Sequence, residues 1–421
     1  MPIRSLNVWL HGVRIARLSE PSRFRLRLDF TDDALDAFGE GSRVLSLRLP
    51  ISRAPIIDTR QAGSGLIVSS FIEGLLPEGN VRQHVAAEAG IPVTDTMGLL
   101  RRVGAECAGA VQILPDEIAP DVGHVRALTD EEITRLIADL PTYHLPDGTT
   151  PQASLAGIQD KVLLVALPDG SWGWPERGAV STHIVKPEPL GGAIAHLIQT
   201  ENWALRVAQE AGLAAADSRI ATFDARQAII VTRYDRTPLG ARLHQEDFCQ
   251  VLGLDPQAKY ESSAEFRQHG SRLQRVARMA AARSSDPDEF RAALLRAVTF
   301  NVMIGNGDAH SKNYSLMIDR VGRVSPAPLY DVAPTAYLEP KYKGSGHVIN
   351  GKTSIDTVDV DDLAAEAQSW GMSSRRGRMI ATSCIEDVRD VVGEIDLPDG
   401  AEHVMTNLRA MWKRRAWSVR S

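Results

Sequence analysis

The sequence has few cysteines and no long apolar run. Its three cysteines, Cys107, Cys249 and Cys384, lie more than a hundred residues apart, without a CxxC pair or a Cys/His pair at zinc spacing. These absences argue against a disulfide framework and against a structural zinc site. No apolar run approaches the roughly 18 residues needed to span a bilayer, and the amino terminus lacks a signal-peptide core. We therefore expect a cytoplasmic protein with no membrane segment.

Positive charge is not in excess either. The chain has 47 Lys and Arg residues against 53 Asp and Glu residues, a net charge of −6. This balance excludes a polybasic nucleic-acid binder but leaves a local basic patch possible. Hydrophobic residues make up 43% of the chain and charged residues 24%, which is typical of a soluble globular protein and excludes disorder, collagen and coiled coil for the whole. Its 421 residues predict about three folding units.

The hydrophobic pattern changes along the chain. Apolar and polar residues alternate through much of the first fifty residues, which predicts antiparallel strands at 6–10, 13–15, 24–28 and 44–49. Further on, the patterns predict helices over 78–90, 129–140 and 194–211 and strands over 161–167, 183–186 and 228–234. Residues 141–151 are rich in turn residues and form the best linker candidate. Helical patterns dominate 245–305 and 359–417. We expect an α+β fold of two lobes with a ligand cleft between them.

The segment 301–317 carries the clearest chemistry. An apolar helix end leads into a loop of Gly, Asn and Asp residues, in which Asp308 and Asn313 stand five positions apart. This is the spacing of the catalytic Asp and the metal-binding Asn in a kinase catalytic loop. In phosphoryl transfer the carboxylate orients the acceptor hydroxyl and accepts its proton, while the amide oxygen binds Mg²⁺. Asp331, at the end of the next short apolar run, is predicted to be the second metal ligand.

Each of these features has an ordinary alternative. Gly-Asn-Gly-Asp is common in turns, and a lone residue such as Asp331 often caps a helix or lies on the surface. Asp308 and His310 also match the Asp-x-His of two-metal phosphoesterases. That class needs a further Gly-Asn-His-Asp/Glu element, which the sequence lacks. It is the combination of motifs that favours a kinase.

A Lys–Glu pair is predicted upstream. Lys186 ends the strand 183–186, and Glu201 lies on the apolar stripe of the helix 194–211. A carboxylate on a core-facing stripe costs several kcal/mol unless it is paired, and Lys186 is the natural partner. Kinases use such an ion pair to hold a lysine on the ATP phosphates. The alternative for Lys186 is a surface lysine at a strand end.

Two further segments complete the predicted nucleotide site. The small residues Ala156, Gly157, Ile158 and Gln159 precede the strand 161–167 and can present main-chain N–H groups to phosphates. The segment Thr232, Arg233 and Tyr234 would be the connection between lobes, where adenine is held by the main chain. An ordinary strand end with a salt-bridged Arg233–Asp235 pair is the alternative. The loop, Lys, Glu, hinge, Asp…Asn and Asp follow one another in kinase order.

With these motifs in place, the sequence strongly resembles the HipA family, serine/threonine kinases that act as toxins of bacterial toxin–antitoxin pairs. The matching segments are Phe71–Gly79, Gly104–Ala110, Ser154–Lys161, Thr182–Lys186, Arg233–Arg236, Gln245–Asp247, Gly305–Asn313 and Leu329–Asp331. The most specific are Ser-x-Ala-Gly-x-Gln-x-Lys and Asp-x-His-x-Lys-Asn. The resemblance runs from near residue 6 to about residue 335, so the carboxy-terminal third is matched least.

The resemblance implies a protein-kinase-like, HipA-like fold with an added amino-terminal subdomain. The expected domains are a β-rich subdomain at 1–125, the nucleotide-binding part of the N-lobe at 126–236, and a helical C-lobe at 237–421. It also implies Asp308 as the catalytic base, Asn313 and Asp331 as Mg²⁺ ligands and Lys186 on the ATP phosphates. His310, Lys312 and the segment Thr232–Tyr234 would complete the ATP site, beside the Glu201 and Ala156–Gln159 assigned above. Val332-Ala333-Pro334 follows Asp331 where common kinases have Phe-Gly, so no Phe-flip activation is expected.

Partners and regulation also follow from the resemblance. Family members phosphorylate an aminoacyl-tRNA synthetase, typically the glutamyl enzyme. A small HipB-like helix-turn-helix antitoxin restrains them and binds operator DNA. They silence themselves by autophosphorylation of the serine that corresponds to Ser154. The basic residues Arg375, Arg376 and Arg378 lie where family members are expected to touch DNA, although a solvated helix start explains them equally well.

Two other functions are left open by the residues. The same catalytic parts serve a small-molecule or lipid kinase, because any hydroxyl can be the acceptor. From a different class, the protein could be a catalytically slow co-repressor that holds an antitoxin on DNA. The joint presence of Lys186, Glu201, Asp308, Asn313 and Asp331 argues against a pseudokinase and favours an active enzyme.

Overall fold

A computed structural model of the chain describes residues 4–59, 66–140, 160–190, 194–339, 342–415 and 417. The chain divides into two units. The first comprises residues 1–187, 221–256 and 317–323, and the second comprises residues 188–220, 257–316 and 324–421. The first unit contains most of the strands and the second most of the long helices. This mixture of sheet and helix agrees with the predicted α+β class.

The alternating residues at the start of the chain form an antiparallel sheet in the first unit. Its strands are β1 (Arg4–Leu10), β2 (Val13–Ser22), β3 (Arg25–Phe30), β4 (Ile56–Ile57) and β5 (Val111–Leu114), in the order β4-β3-β2-β1-β5. His11 and Gly12 join β1 to β2 and both have positive φ, 51° and 82°. A two-residue turn of this kind matches the twist of the strands it connects. The hairpin therefore sets the sheet's register from local sequence alone.

Four helices cover this sheet: α1 (Asp32–Phe38), α2 (Ile67–Leu75), α3 (Gly79–Glu88) and α4 (Thr96–Val103). Their apolar faces share one core with the strands, in which Leu6, Val8, Leu18, Phe71 and Leu100 are at most 1% exposed. The predicted helix at 78–90 is confirmed as α3, and Gly90 follows its end with φ of +63°. Burial of the large side chains supplies the main free energy that holds sheet and helices together.

The prediction of a strand at 44–49 is wrong. These residues form turns in which Ser46 and Leu49 make one isolated bridge. Val44, Leu45 and Leu49 are nevertheless buried. The apolar pattern therefore reflects the burial of these side chains and not a strand. Side chains take the place of a neighbouring strand: the Glu246 carboxylate accepts the N–H of Leu47 at 2.8 Å.

A second sheet lies mainly in the first unit. Its members are β6 (His124–Ala127), β7 (Val162–Ala166), β8 (Trp172–Glu176), β9 (His183–Pro187), β10 (Ser218–Phe223) and β11 (Arg226–Thr232), in the order β10-β11-β9-β7-β8-β6. Helix α5 (Asp130–Asp139) packs its Ile133, Leu136 and Ile137 in the same core as Leu164 and Val185. It begins at the predicted Thr129 capping box. The linker candidate 141–151 lies outside the described residues.

The remaining elements follow in chain order. Helix α6 (Leu197–Glu210) belongs to the second unit, and β12 (His244–Asp247) and α7 (Phe248–Leu252) to the first. Then come α8 (Ser263–His269), α9 (Arg272–Ala281), α10 (Pro287–Met303), β13 (Ser315–Ile318), β14 (Val324–Pro326), α11 (Thr335–Leu338), β15 (Gly344–Ile349), β16 (Lys352–Ser354), α12 (Val360–Ser369), α13 (Ser374–Val392) and α14 (Glu402–Arg414). Strands β15 and β16 pair with each other. Among the described residues, no helix is both long enough and apolar enough to cross a membrane.

Buried tryptophans tie the helices of the second unit together. The indole N–H of Trp203 on α6 donates to the Ile395 carbonyl at 3.0 Å, and that of Trp412 on α14 donates to the Met303 carbonyl at 2.9 Å. Each tryptophan therefore buries a large apolar surface and still satisfies its polar atom. The second contact fixes the end of α10, from which the candidate active-site loop departs.

Candidate active site

The loop that contains Asp308 begins where α10 ends. Asp286 caps the start of this helix and Pro287 occupies its first turn. At the other end Gly305 has φ of +75°, a left-handed conformation that glycine adopts without penalty. A β-carbon at Gly305 would also lie 2.3 Å from the Tyr337 ring. Helix α10 therefore ends at a fixed residue, and the loop leaves it in a fixed direction.

Two buried asparagines set the main chain of Asp308. The amide of Asn306 donates to Oδ1 of Asn301 at 2.7 Å, while Oδ1 of Asn306 accepts the main-chain N–H of Asp308 at 3.1 Å. The hydroxyl oxygen of Thr335 accepts the same N–H at 3.1 Å. Asn301 in turn donates to the Tyr314 hydroxyl at 3.0 Å. Because buried amides are costly unless hydrogen-bonded, this chain of bonds permits little movement.

Asp308 and Asn313 meet within one turn of the loop. The side-chain amide of Asn313 donates to the main-chain oxygen of Asp308 at 3.0 Å. Main-chain bonds from His310 to Asp308 at 2.7 Å and from Asn313 to His310 at 2.9 Å close the turn. The Asp308 side chain is 28% exposed, whereas Asn313 is buried. The loop therefore brings together the partly exposed carboxylate of Asp308 and the buried, hydrogen-bonded amide of Asn313.

His310 and Lys312 are buried in the same loop. Burial and the neighbouring Lys259 charge lower the pKa of His310 to about 3, so its imidazole is neutral near pH 7. Its Nδ1 accepts the main-chain N–H of Lys312 at 3.3 Å, and its Nε2 lies 4.0 Å from Oδ1 of Asp308. His310 therefore offers a ligand hydrogen bonds and no positive charge.

Asp331 has a strained main-chain conformation and lies close to this loop. Its φ is +55°, a conformation that costs a non-glycine residue roughly 1 kcal/mol or more and is frequent at functional sites. The preceding Tyr330 holds the two segments together, because its hydroxyl donates to the Lys312 carbonyl at 2.8 Å and lies 2.6 Å from Oγ of Ser315. The negative charge of Asp331 also acts on His310, whose pKa it raises against the stronger lowering effect of burial.

The donor chemistry of Asn313 and Asp331 fits a magnesium ion. Mg²⁺ prefers oxygen ligands, commonly one or two carboxylates together with phosphate oxygens and water. Since the Asn313 amide nitrogen is engaged with Asp308, its carbonyl oxygen is the atom left to serve as a ligand. Within the described residues there is no group of three or more His, Cys, Asp and Glu side chains that could hold a metal.

The loop is also hydrogen-bonded to an arginine that was not predicted from the sequence. Arg272 is 1% exposed and donates to Oγ of Ser311 and to the Lys259 carbonyl, both at 3.0 Å. It is also paired with Glu265. Its own main-chain N–H donates to the buried Glu261 carboxylate at 2.9 Å. The start of α9 is thereby joined to the middle of the loop.

The hydroxyl of Tyr260 also contacts the loop and donates to Oδ1 of Asp308. Tyr260, Thr335 and Asn306 all act on Asp308 and were not predicted. Asn306 lies inside the motif and could have been found from the satisfaction of its buried amide. The other two are remote in sequence, 48 and 27 positions from Asp308, and carry no local signal.

The structure buries both members of the predicted Lys–Glu pair. Lys186, in β9 opposite Ile229 of β11, is 5% exposed, and Glu201 on α6 is 2% exposed. Lys186 is therefore not a surface lysine at a strand end. Lys186 lies in the first unit and Glu201 in the second, and their ion pair stays a prediction. The loop residues Ser154, Ala156, Gly157, Ile158 and Gln159 lie outside the described residues.

The side chain of Arg233 belongs to a buried charge cluster in the first unit. It pairs with Glu106 at 2.9 Å and with Asp235 at 2.7 Å, and Arg236 and Arg242 contact the same Glu106. Burial raises the pKa of Asp235, but the charges of Arg233 and Arg236 outweigh it and hold the pKa below its usual range. The salt-bridged alternative considered for Arg233–Asp235 is thus present. The Arg233 guanidinium is engaged with these acids, its main-chain N–H donates to the Thr182 carbonyl at 2.9 Å, and its carbonyl accepts the Arg236 N–H at 3.3 Å.

The basic cluster at 375–378 forms the first turn of α13, which Ser373 caps. Arg376 pairs with Asp288 at 2.6 Å, and Arg378 pairs with Asp361. These partners neutralise part of the positive charge. Arg375 is exposed. The geometry agrees with the solvated helix start and leaves the contact with DNA a prediction.

Comparison with known proteins adds independent findings. Residues 6–114 match the family described as HipA N-terminal domain, and residues 153–392 match the HipA-like C-terminal domain. A Sinorhizobium fredii protein named as a kinase is 32% identical over 94% of this chain and 92% of its own length. The serine/threonine-protein kinase toxin HipA of Shewanella oneidensis is 28% identical over 76% of this chain and 75% of its own.

A solved structure gives the same result for the fold. HipA in the Shewanella oneidensis complex of HipA, HipB and operator DNA superposes with a TM-score of 0.79, at 26% identity, over 98% of this chain and 97% of that one. This match confirms the predicted HipA-like α+β fold.

Proposed function

Because the chain belongs to the HipA family of serine/threonine-protein kinase toxins, we propose that it transfers the γ-phosphoryl group of Mg·ATP to a hydroxyl of an aminoacyl-tRNA synthetase. The observation that carries this proposal is the Asp308–Asn313 turn, which brings a partly exposed carboxylate and a buried amide together. Phosphoryl transfer depends mostly on positioning and electrostatics. Hydrogen bonds from Asn306, Thr335 and Arg272 hold this loop in position.

In this proposal Asp308 accepts the hydrogen bond, and then the proton, of the acceptor hydroxyl. The asparagine chain and Thr335 hold its main chain, so the carboxylate does not have to reorganise during the reaction. Asn313 and Asp331 would hold Mg²⁺. When bound, that ion neutralises charge on the phosphates.

The nucleotide would be held by the residues predicted from the sequence to bind it. The sequence assigns Lys186, oriented by Glu201, to the phosphates, together with Lys312 and the main chain of 156–159. Neutral His310 would donate a hydrogen bond from Nε2 without adding charge, because its Nδ1 accepts the Lys312 N–H. The segment Thr232–Tyr234 would hold adenine through its main chain, with Arg233 itself held by its acidic partners and by the bond from its N–H to the Thr182 carbonyl.

Partners are proposed from the solved relative. Its complex contains HipB and operator DNA, which supports a HipB-like helix-turn-helix antitoxin as a partner of this chain and DNA as a target reached mainly through it. Arg375, Arg376 and Arg378 would add phosphate contacts. Each real contact would contribute about 0.9 to the salt slope of DNA affinity, so the triple alanine variant of an antitoxin complex would have a shallower slope. An unchanged slope would remove these residues from the DNA site.

Self-limitation through Ser154 is a separate part of the proposal. A phosphate there would add about −1.5 to −2 charge beside main-chain groups proposed to bind ATP phosphates, and like charges would compete for the same donors. After incubation with Mg·ATP, mass spectrometry should find phosphate on Ser154, and ATP affinity should fall. An active enzyme that leaves Ser154 unmodified, or a Ser154-phosphorylated form that binds ATP normally, would contradict it.

Acceptor identity decides between this function and the small-molecule or lipid kinase. The protein would be incubated with γ-labelled Mg·ATP and, separately, a set of purified aminoacyl-tRNA synthetases, phosphoinositide vesicles and small alcohols. We expect label on a synthetase, the glutamyl enzyme first. Label only on lipid or small alcohols would establish the alternative. Binding of ATP without transfer to any acceptor, together with tighter antitoxin–DNA binding, would favour the co-repressor.

A further inference from the structure

Tyr260 touches the proposed base directly. Its hydroxyl donates to Oδ1 of Asp308, and its ring makes an edge-to-face contact with the His310 ring, with centroids 5.0 Å apart. Although Tyr260 is 45% exposed, two residues of the Asp308 loop hold its side chain. The Tyr260 side chain is therefore held beside Asp308 although it is not buried.

The main chain on either side of Tyr260 is attached to the same structure. The Lys259 carbonyl accepts the main-chain N–H of Ser311 at 3.1 Å. The N–H of Glu261 donates to the Gly346 carbonyl at 3.0 Å. Tyr260 therefore lies on a segment whose main chain is hydrogen-bonded to the Asp308 loop at Ser311 and to Gly346.

The chemistry of the contact suits a supporting role. Burial and the Asp308 charge raise the pKa of the Tyr260 phenol above its usual value, so it remains a hydrogen-bond donor. An ionised carboxylate offers about four lone-pair positions. A bond from Tyr260 to Oδ1 is thus compatible with a second bond from an acceptor hydroxyl.

We propose that Tyr260 is a positioning residue for Asp308, which fixes the carboxylate in the orientation that receives the acceptor hydroxyl. This inference rests on the kinase function proposed above and adds a residue to it. Tyr260 acts through Asp308 and not on ATP. Its loss should therefore reduce turnover and leave the KM for ATP unchanged.

The test compares two variants that each lose one hydroxyl. Tyr260→Phe keeps the ring against His310 and removes only the donor. Tyr337→Phe is the control, because its ring packs beside Gly305 of the same loop while its hydroxyl lies near Asp356. Each protein would be assayed with γ-labelled Mg·ATP and glutamyl-tRNA synthetase for kcat and the KM for ATP, and its unfolding temperature would be measured.

For Tyr260→Phe we expect kcat to fall about 10- to 100-fold, with the KM for ATP within about twofold and an unchanged unfolding temperature. Tyr337→Phe should retain the wild-type kcat. A Tyr260→Phe variant with wild-type kcat, or with a raised KM and unchanged kcat, would overturn the positioning role alone. Absence of transfer by the wild-type protein to this and every other acceptor tested would instead overturn the proposed kinase function, and this inference with it.

Discussion

Asn313 donates its side-chain amide to the main-chain oxygen of Asp308 at 3.0 Å. The bond holds within one turn the two residues that are proposed as the base and as a metal ligand. Any change that displaces this turn should affect both duties at once.

Gly307→Ala should disable the loop through steric contact alone. A β-carbon at Gly307 would lie 1.5 Å from the Tyr342 carbonyl oxygen, and main-chain oxygen cannot move aside cheaply. A displacement of about 1 Å at a catalytic group can cost roughly 100-fold in rate, so we expect a loss of that size in phosphate transfer. Gly393→Ala is the control, because nothing lies within 4 Å of its β-carbon position. Equal activity of the two variants would contradict this prediction, because it would show that the Tyr342 main chain moves aside without disturbing the loop.

Glu201→Gln should weaken catalysis more than it weakens the fold. The substitution keeps the volume of a buried side chain but removes the charge predicted to orient Lys186. We expect a rise in the KM for ATP and a fall in kcat, together about 10-fold or more in kcat/KM, with a small change in the unfolding temperature. Glu210→Gln, at the exposed end of the same helix, should behave as wild type. A Glu201→Gln variant with normal kinetics would remove Glu201 from the nucleotide site.

Glu246 should make stability depend on pH. Burial raises the pKa of this carboxyl from 4.5 to about 8, against the hydrogen bond from Leu47. The folded state therefore holds a proton that the unfolded state releases, and stability falls as the pH rises from about 4.5 to about 8, by roughly 1.4 kcal/mol per pH unit for one proton.

Glu246→Gln should remove this contribution. Its unfolding free energy should approach that of the wild type near pH 5 and exceed it increasingly towards pH 8, as measured by denaturant unfolding at each pH. Glu117→Gln is the control, since that carboxylate is exposed in the same unit. Parallel pH profiles for Glu246→Gln and wild type would contradict the account.

The sequence predicted that Asp308 and Asn313 lie together, because both belong to one continuous loop in which their spacing determines which groups can meet. It reached the sheets and helices where alternation or caps are local, as at His11–Gly12 and Thr129. It failed at 44–49, because the buried Glu246 side chain satisfies the main chain there. Such a contact across 199 positions leaves no trace in the local pattern.

Tyr260 was not predicted from the sequence for the same reason. Nothing in its surroundings distinguishes it from other tyrosines, and its contact with Asp308 exists only after residues 257–316 have folded. Arg233 is the intermediate case: its pairing with Asp235, two residues away, was foreseen as an alternative, but the part played by Glu106 was not.

The central claim is that Asp308 serves as the base in phosphoryl transfer. Its most direct test is the initial rate of label transfer from Mg·ATP to glutamyl-tRNA synthetase by wild type and by Asp308→Asn, with Asp390→Asn, an exposed carboxylate on α13, as the control. A general base contributes about 10²- to 10⁴-fold, so Asp308→Asn should lose at least 100-fold while it keeps its unfolding temperature and its affinity for ATP. Transfer by Asp308→Asn at near the wild-type rate would contradict the assignment.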